Sequence, residues 1–276
     1  PGPEVLASEE LTMKPIVVGI DGSQAGIVAA LWGVDEAIGR GSPLRLVSVI
    51  TLTHASPDDY ARDLEHAEKS LREARSAIEA TKKPVSVETD IPRGPAGPML
   101  VEASRDAEVV CIGSVGIGRY ASSLLGSTAA ELAEKAHCPV AVLRTDSEQP
   151  PPDIDWVVVR MTDAPGNDVV VEWAGWEASL RRAPMLVLGG RPEELAGSAD
   201  GAFEHRVRDW RQRHPGVRVY PVTTKDAIAD FLSANDERVQ LAVISGPEAA
   251  QLARLIGPHG HPLFRHPECS VLVVRR

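Results

Sequence analysis

The chain is short of positive charge, short of cysteine, and has no long apolar run. Lysine and arginine number 29 against 39 aspartate and glutamate, a formal net charge of -10. That balance argues against a nucleic-acid partner, which needs a basic stripe to neutralise phosphates. Cys111, Cys138 and Cys269 are the three cysteines, and their spacing matches no zinc pattern. They fit a reduced cytoplasmic chain, not a disulfide framework. No apolar stretch approaches the ~20 residues of a membrane span, and none reads as a signal peptide. What remains is a globular composition, 43% hydrophobic and 25% charged over 276 residues. That length is enough for two domains, each burying its own core. Residues 1–13 read as a disordered lead outside the fold.

The most informative stretch runs from Cys111 to Val142, CIGSVGIGRYASSLLGSTAAELAEKAHCPVAV. It reads as a strand, a glycine-punctuated loop, a short helix and a second strand. Its skeleton is Gly113-x2-Gly116-x9-Gly126-Ser127. Glycines let a ligand approach the backbone and tolerate positive φ, so successive N–H groups can converge on an anion. Ser127 and Thr128 at the helix start add two hydroxyls and the positive end of a helix dipole. The device suits phosphate. A plain connector is the bland alternative, but long structureless loops in compact domains are usually functional. Ser122 and Ser123 within it read as ordinary loop serines.

The chain also repeats itself. IVVGIDGS (Ile16–Ser23) faces WVVVRMTDA (Trp156–Ala164), and LWGVDEA (Leu31–Ala37) faces EWAGWEA (Glu172–Ala178). SPLRLVSV (Ser42–Val49) faces APMLVLGG (Ala183–Gly190), and EVVCIGS (Glu108–Ser114) faces QLAVISG (Gln240–Gly246). The closing CPVAVLR and CSVLVVR set Cys138 opposite Cys269. The proline-rich stretch 146–153 between the halves is a linker. The domains are therefore 14–145 and 154–276.

In the first half, apolar runs of strand length sit at 16–20, 44–50, 85–89, 108–113 and 139–143, with helical patterns between them. Val28, Leu31, Val34 and Ile38 share one face of the first helix. Tyr60, Leu64, Ala67, Leu71 and Ile78 share one face of the second, Asp58 and Asp59 suit its N-terminus, and Glu65–Lys69 is a solvated pair. Alternating strands and helices imply right-handed βαβ units. The fold class is α/β: two repeated domains, each a five-stranded parallel-type open sheet with helices on both faces, strand order 3-2-1-4-5, Rossmann-like. Ligands of such sheets settle beyond the strands' carboxyl ends where the winding reverses. Strands one and four are neighbours there, so Asp21 and the Gly113 loop would meet in one crevice. Alternatively, Asp21 only caps the first helix.

The GIDGS turn, the VSV strand end and the glycine skeleton resemble the universal stress protein family in its ATP-binding branch; GIGRYASSLLGS is similar to that family's signature loop. The likeness covers about Lys14 to Arg144 and, more weakly, the second half. It implies a nucleotide-binding α/β fold, one ATP per intact domain, and dimerisation, often through the last strand. Carried over by position, Asp21 and Val49 would contact the adenine–ribose end. Gly113, Ser114 and Gly116 would cradle ribose and phosphates, and Gly126, Ser127 and Thr128 would donate to phosphates. Ala129 stands where many relatives carry a hydroxyl. Mg2+ or Mn2+ is expected on the phosphates, because no lysine lies in the loop, although Arg119 could approach.

The second half departs from this pattern. Gly246 matches Gly113, but Ala249 stands for Gly116, the loop is two residues shorter, and Gly257-Pro258 replaces Gly126-Ser127. Proline there supplies neither N–H nor hydroxyl. Asp163 takes the place of Asp21, one residue out of register. This half reads as a non-binding or altered domain. His259, His261, His266 and Cys269 fit no standard zinc spacing, and a buried thiol is the plainer reading of Cys269. Trp32, Trp173, Trp176 and Trp210 read as packing or interface residues.

The resulting expectation is a cytoplasmic tandem protein that binds ATP in its first domain and acts as a nucleotide-dependent stress-response or regulatory protein. It pairs as a homodimer or between its own domains. An AMP or cyclic AMP binder and a nucleotide-free scaffold remain alternatives. An ATP-pyrophosphatase-type enzyme usually carries its phosphate loop after strand one, where only Asp-Gly-Ser is present. A receiver domain needs an acidic pair there. No base for water and no triad is evident, so no catalytic residue is assigned, although slow hydrolysis or self-phosphorylation stays open.

Overall fold

The computed structural model describes residues 13–51, 56–116, 125–145, 155–190, 201–235, 238–257 and 269–275. The linker, nearly all of the lead, Arg119, Ser122, Ser123, Pro258 and the three histidines from His259 to His266 lie outside them. The first half runs β1 (Ile16–Gly19), α1 (Gln24–Arg40), β2 (Leu44–Val47), α2 (Pro57–Ala80), β3 (Val87–Asp90), α3 (Ala96–Ala103), β4 (Val109–Gly113), α4 (Ser127–Lys135) and β5 (Val140–Leu143). The second runs β6 (Trp156–Met161), α5 (Asn167–Leu180), β7 (Met185–Gly189), α6 (Ala202–Arg213), β8 (Val219–Thr223), α7 (Ile228–Ala234), β9 (Val239–Ser245), a 3-10 turn (Gly246–Gln251), α8 (Leu252–Ile256) and β10 (Ser270–Val274).

Both halves have the 3-2-1-4-5 order, and they join in one ten-stranded sheet, β3-β2-β1-β4-β5-β10-β9-β6-β7-β8. Within each half every pairing is parallel. The inner strands are buried on both faces, so β1, β4 and β5 read as unbroken apolar runs. The outer strand β3, VETD, is mostly exposed and polar. The junction is the exception to parallel pairing. β10 lies antiparallel to β5, with Val271 opposite Val142 and Val273 opposite Val140. Two like strands meeting about a pseudo-two-fold must run antiparallel, and each closes the other's open edge.

Helices cover both faces. One core joins α1, α2, α5 and α6 to the sheet, the other α3, α4, α7 and α8, and each runs through both halves. The final strands exchange caps. Arg144, just past β5, donates to the carbonyls of Ile256 and Gly257 at the end of α8, and Arg275 donates to Ala133 in α4. A cation at a helix C-terminus is the favourable sign.

The expected face of α1 needs correction. Ala25, Ala29, Ala30, Gly33, Val34 and Ala37 are its buried side, whereas Ile38 is 40% exposed. Close approach to the sheet decides this: a Cβ on Gly33 would sit 2.9 Å from Val18 Cγ2. Small residues win the contact face, and larger ones move to its flanks. On α2 the expected face holds, with Ala67, Leu71 and Ile78 buried and Asp58 and Asp59 in the first turn. Lys69 pairs with Glu73, not Glu65.

Where α1 meets α5, a polar cluster is buried. Glu36 and Glu177 are fully inaccessible. Arg40 Nε donates to Glu36 at 3.0 Å, Arg181 donates to Glu36 at 3.2 Å, and Arg181 also binds Glu177. The arginine of each half lies over a tryptophan of the other: Arg40 is 4.1 Å from the Trp173 ring and Arg181 is 4.6 Å from Trp32. Such stacking suits the weakly hydrated guanidinium. Trp210 is buried in the core, its Nε1 donating to Glu172 at 3.0 Å.

Candidate functional site

Strand β1 ends in a turn that builds the first wall of a crevice. Gly22 takes a left-handed φ of 86°, which lets Asp21 fold back over the start of α1. Asp21 Oδ1 accepts from the Ser23 amide at 2.9 Å and from Ser23 Oγ at 2.6 Å. Ser23, not Asp21, is the cap of α1, accepting from the Gly26 amide at 3.1 Å. Asp21 is thereby left facing the loop after β4. A Cβ placed on Gly116 would lie 2.4 Å from Asp21 Oδ2, so a side chain there would have to displace that carboxylate. The two distant segments do meet.

The crevice they form has a volume of about 400 Å3. Asp21, Val49, Gly113, Gly116, Gly126, Ser127 and Thr128 all line it. Ser114 does not: it is fully buried behind the wall, and its amide donates to Leu143 O at 2.8 Å. Its carbonyl accepts from the Gly126 amide at 2.8 Å and so pins the returning end of the loop. Gly113 is glycine for packing, because a Cβ there would be 2.6 Å from that of Ala25. Helix α4 opens at Gly126 with no side-chain cap, which leaves its first amides and the Ser127 and Thr128 hydroxyls at the crevice. Ala129 also lines it, buried, at the position where a hydroxyl was looked for.

Two further ionisable residues line the crevice that sequence reasoning did not single out. Asp63 and His66 reach it from α2, and His66 Nε2 lies 3.3 Å from the Asp21 carbonyl. Their signal was available, because both flank Ala67 on the inward face of that helix. Among the described residues, the lining carries two carboxylates and neither lysine nor arginine. No group of three or more histidine, cysteine or acidic side chains forms a metal cage among the described residues.

Among the described residues, the second half lacks this arrangement. Strand pairing puts Val157 where Ile16 stands, opposite Met185 and Leu241 as Ile16 is opposite Leu44 and Val109. Arg160 therefore replaces Gly19, and Thr162 replaces Asp21. Asp163 falls at Gly22, correcting the expected match. By the same register Gly246 corresponds to Ser114, not Gly113, whose counterpart is Ser245. Thr162 even copies the turn, accepting from the Ala164 amide at 3.3 Å. After β9 the chain enters a 3-10 turn at once, held by Ser245 and Glu248 in a reciprocal cap. Burial pushes the Cys269 and Cys138 thiols up to about 12, so both are inert packing groups. A larger cavity of about 1150 Å3 opens between α4, residues 160–170 and residues 245–253. Alanines form much of its wall, with Arg160, Thr162, Ser245 and Gly246 at the ends of β6 and β9.

The Universal stress protein family model matches residues 12–144. Over nearly the whole length, the chain is 73% identical to the universal stress protein Rv2624c of Mycobacterium tuberculosis, covering 97% of this chain and 98% of that one. This chain belongs to the universal stress protein family. A second relative from the same organism, Rv2028c, is 34% identical, over 94% of this chain and 95% of its own. A universal stress protein from Archaeoglobus fulgidus shares the fold, with a TM-score of 0.66 at 17% identity over 95% of this chain and 96% of that one. In this family member, no helix among the described residues is long and apolar enough to cross a membrane.

Proposed function

We propose that this tandem universal stress protein binds ATP in its first-half crevice and uses occupancy to bias its partnerships. The observation that carries the reading is the contact of Asp21 with Gly116, which gathers a carboxylate, a glycine turn and an open helix start around one space. Val47, Val49, Ile50, Leu100 and Ile112 give that space an apolar side for a base, and the α4 start gives it N–H and hydroxyl donors for phosphates. A polyphosphate beside Asp21 and Asp63 needs its charge offset. A divalent cation fits: Asp21 and the hydroxyls of Ser127 and Thr128 are hard oxygen donors, and Mg2+ is commonly held by one or two carboxylates plus substrate phosphates. The cation would neutralise the phosphate oxygens. Among the described residues the second half contributes no equivalent site, since its turn carries Thr162 and β9 is followed by a capped 3-10 turn.

Titration calorimetry with ATP, AMP and cyclic AMP, with and without Mg2+, tests the proposal. One ATP per chain, bound more tightly with the metal, is the expected result. Two per chain would overturn the reading of the second half, and no ATP binding would overturn the whole. Preferential binding of a monophosphate would reassign the ligand. Hydrogen exchange of the segment from Val115 to Gly126 should slow on saturation; unchanged exchange would remove the switching role.

A further inference from the structure

The second half has a crevice over the β6–β7 side of the corresponding region, and its charge is reversed. Beyond the ends of β6 and β7 lies a cavity of about 340 Å3 whose walls include Arg160, Asp163, Phe203, Arg206 and Lys225. Three cationic side chains face one carboxylate there, against two carboxylates and no lysine or arginine in the described lining of the first crevice. The carboxylate is already engaged. Arg206 Nη1 donates to Asp163 at 2.7 Å, and its Nη2 donates to the Thr162 carbonyl at 2.9 Å, which fixes the guanidinium in place. Arg160 is held at one end, donating from Nη2 to the Lys225 carbonyl at 2.9 Å. Its Nε is buried and has no hydrogen-bond partner. A buried charged donor left unmade is costly, and a bound anion would satisfy it. Among the described residues, neither Arg160 nor Lys225 has a carboxylate partner.

We propose that this crevice binds a phosphate dianion, free or as the terminal group of a small phosphoester, between Arg160, Arg206 and Lys225. Among the described residues, three positive charges less one leave a surplus of two in the lining, which matches a dianion better than a single carboxylate. Guanidinium forks take phosphate oxygens two at a time, and a lysine adds a movable point charge at the rim. The site owes nothing to the glycine loop. A guanidinium-bearing residue stands where the first crevice has Gly19, so the same topology has been turned from an acidic crevice into a basic one. The inference therefore holds or fails independently of what the first half binds.

The test is calorimetric titration of inorganic phosphate into the full chain carrying Gly116→Glu, which fills the first crevice. One equivalent should bind saturably. Lys225→Gln, at an exposed position, should weaken binding about tenfold, the usual scale for one charge-assisted contact. Adding Arg206→Gln should abolish it, with circular dichroism and thermal unfolding reporting an intact fold. Absence of saturable binding overturns the proposal, as does affinity unchanged in Lys225→Gln, or acetate binding as tightly as phosphate. Glycerol 3-phosphate binding more tightly than phosphate assigns a phosphoester; equal or weaker binding assigns the free anion.

Discussion

The two halves are the same fold, paired strand for strand, yet their crevices are lined with opposite charge. In the first, Asp21 and Asp63 face a glycine turn and an uncapped helix start. In the second, Arg160, Arg206 and Lys225 dominate, and the turn after β9 is closed by its own cap. The first crevice sits where the winding reverses, and the second opens beside that point, over β6 and β7. A few positions at the strand ends then decide the chemistry of each, and Gly19 against Arg160 with Asp21 against Thr162 are two of them. The duplicated fold keeps its shape because its cores are shared: the β5–β10 junction and the α1–α5 cluster tie each half to the other. One crevice could change without loosening the other.

The sharpest way to break this contrast is Gly116→Glu. A side chain there must displace Asp21 and enter the crevice, since even a Cβ would lie 2.4 Å from Oδ2. Nucleotide binding should fall by at least about a hundredfold, roughly 3 kcal/mol, while the unfolding temperature changes little because the segment is at the surface of the fold. Calorimetry and thermal unfolding check both parts, and retained binding would remove the site assignment. The same change should leave phosphate binding in the second half untouched.

Next in size is the bond between the halves. Arg181 serves Glu36 and Glu177, both of them fully buried. Arg181→Ala should cost about 3–5 kcal/mol, the usual penalty for stranding a buried charge. Urea unfolding should also lose its single transition if the halves then open separately. A cost below about 1 kcal/mol would mean that the cluster is solvated in solution.

The cluster also titrates. Burial, then the charge of Glu36, raises Glu177 to about 8 from an ordinary 4.5, with Arg181 and Arg40 opposing. The facing groups are Glu36 and Arg40 on α1, Arg181 at the end of α5, Glu108 through Arg40, and the Cys111 thiol beneath. A folded-state value above the unfolded one means that this contribution is complete below about 4.5 and is lost as pH rises through about 8. Wild type should therefore weaken, relative to Glu177→Gln, between pH 6 and pH 9, by roughly 2 kcal/mol. Urea midpoints of the two proteins at both pH values measure it. Parallel curves would show that Glu177 stays ionised throughout.

How much of this was legible beforehand follows from the physics of each element. The inner strands are buried on both faces, so their apolar runs stand out, and the winding rule then fixes the order and brings Asp21 to the Gly113 loop. The contact face of α1 was hidden because close packing selects alanine and glycine, which periodicity counts weakly. The buried Glu36 and Glu177 read like solvated charges. Their mark was the repeated spacing Trp32, Glu36, Arg40 and Trp173, Glu177, Arg181, which has meaning only once α1 and α5 are known to meet. The register of Thr162 and Gly246 was off by one because glycines and aspartates are conspicuous and tempt alignment. Strand ladders count every residue. Ser114 was placed at the ligand by its position in the family's pattern, but strand alternation turns it inward.

The smallest prediction tests whether the two turns are equivalent in more than position. Ser23 caps α1 and also donates to Asp21, so its hydroxyl both starts the helix and steadies the acid of the crevice. Ala164 is its counterpart by strand register, but α5 begins only at Asn167, behind a left-handed Gly166 with no side-chain cap. Asn167 instead folds back, accepting from the Thr162 amide at 2.6 Å and donating to the Arg160 carbonyl at 2.8 Å. Ser23→Ala should thus cost about 1 kcal/mol of stability and weaken nucleotide binding severalfold by loosening Asp21. Ala164→Ser should change stability by less than about 0.5 kcal/mol, having no first-turn amide to cap. Chemical denaturation of both variants, with ATP titration of the first, separates the cases. Equal effects at the two positions would mean that the turn after β1 is an ordinary helix start and that Asp21 is held by something other than Ser23.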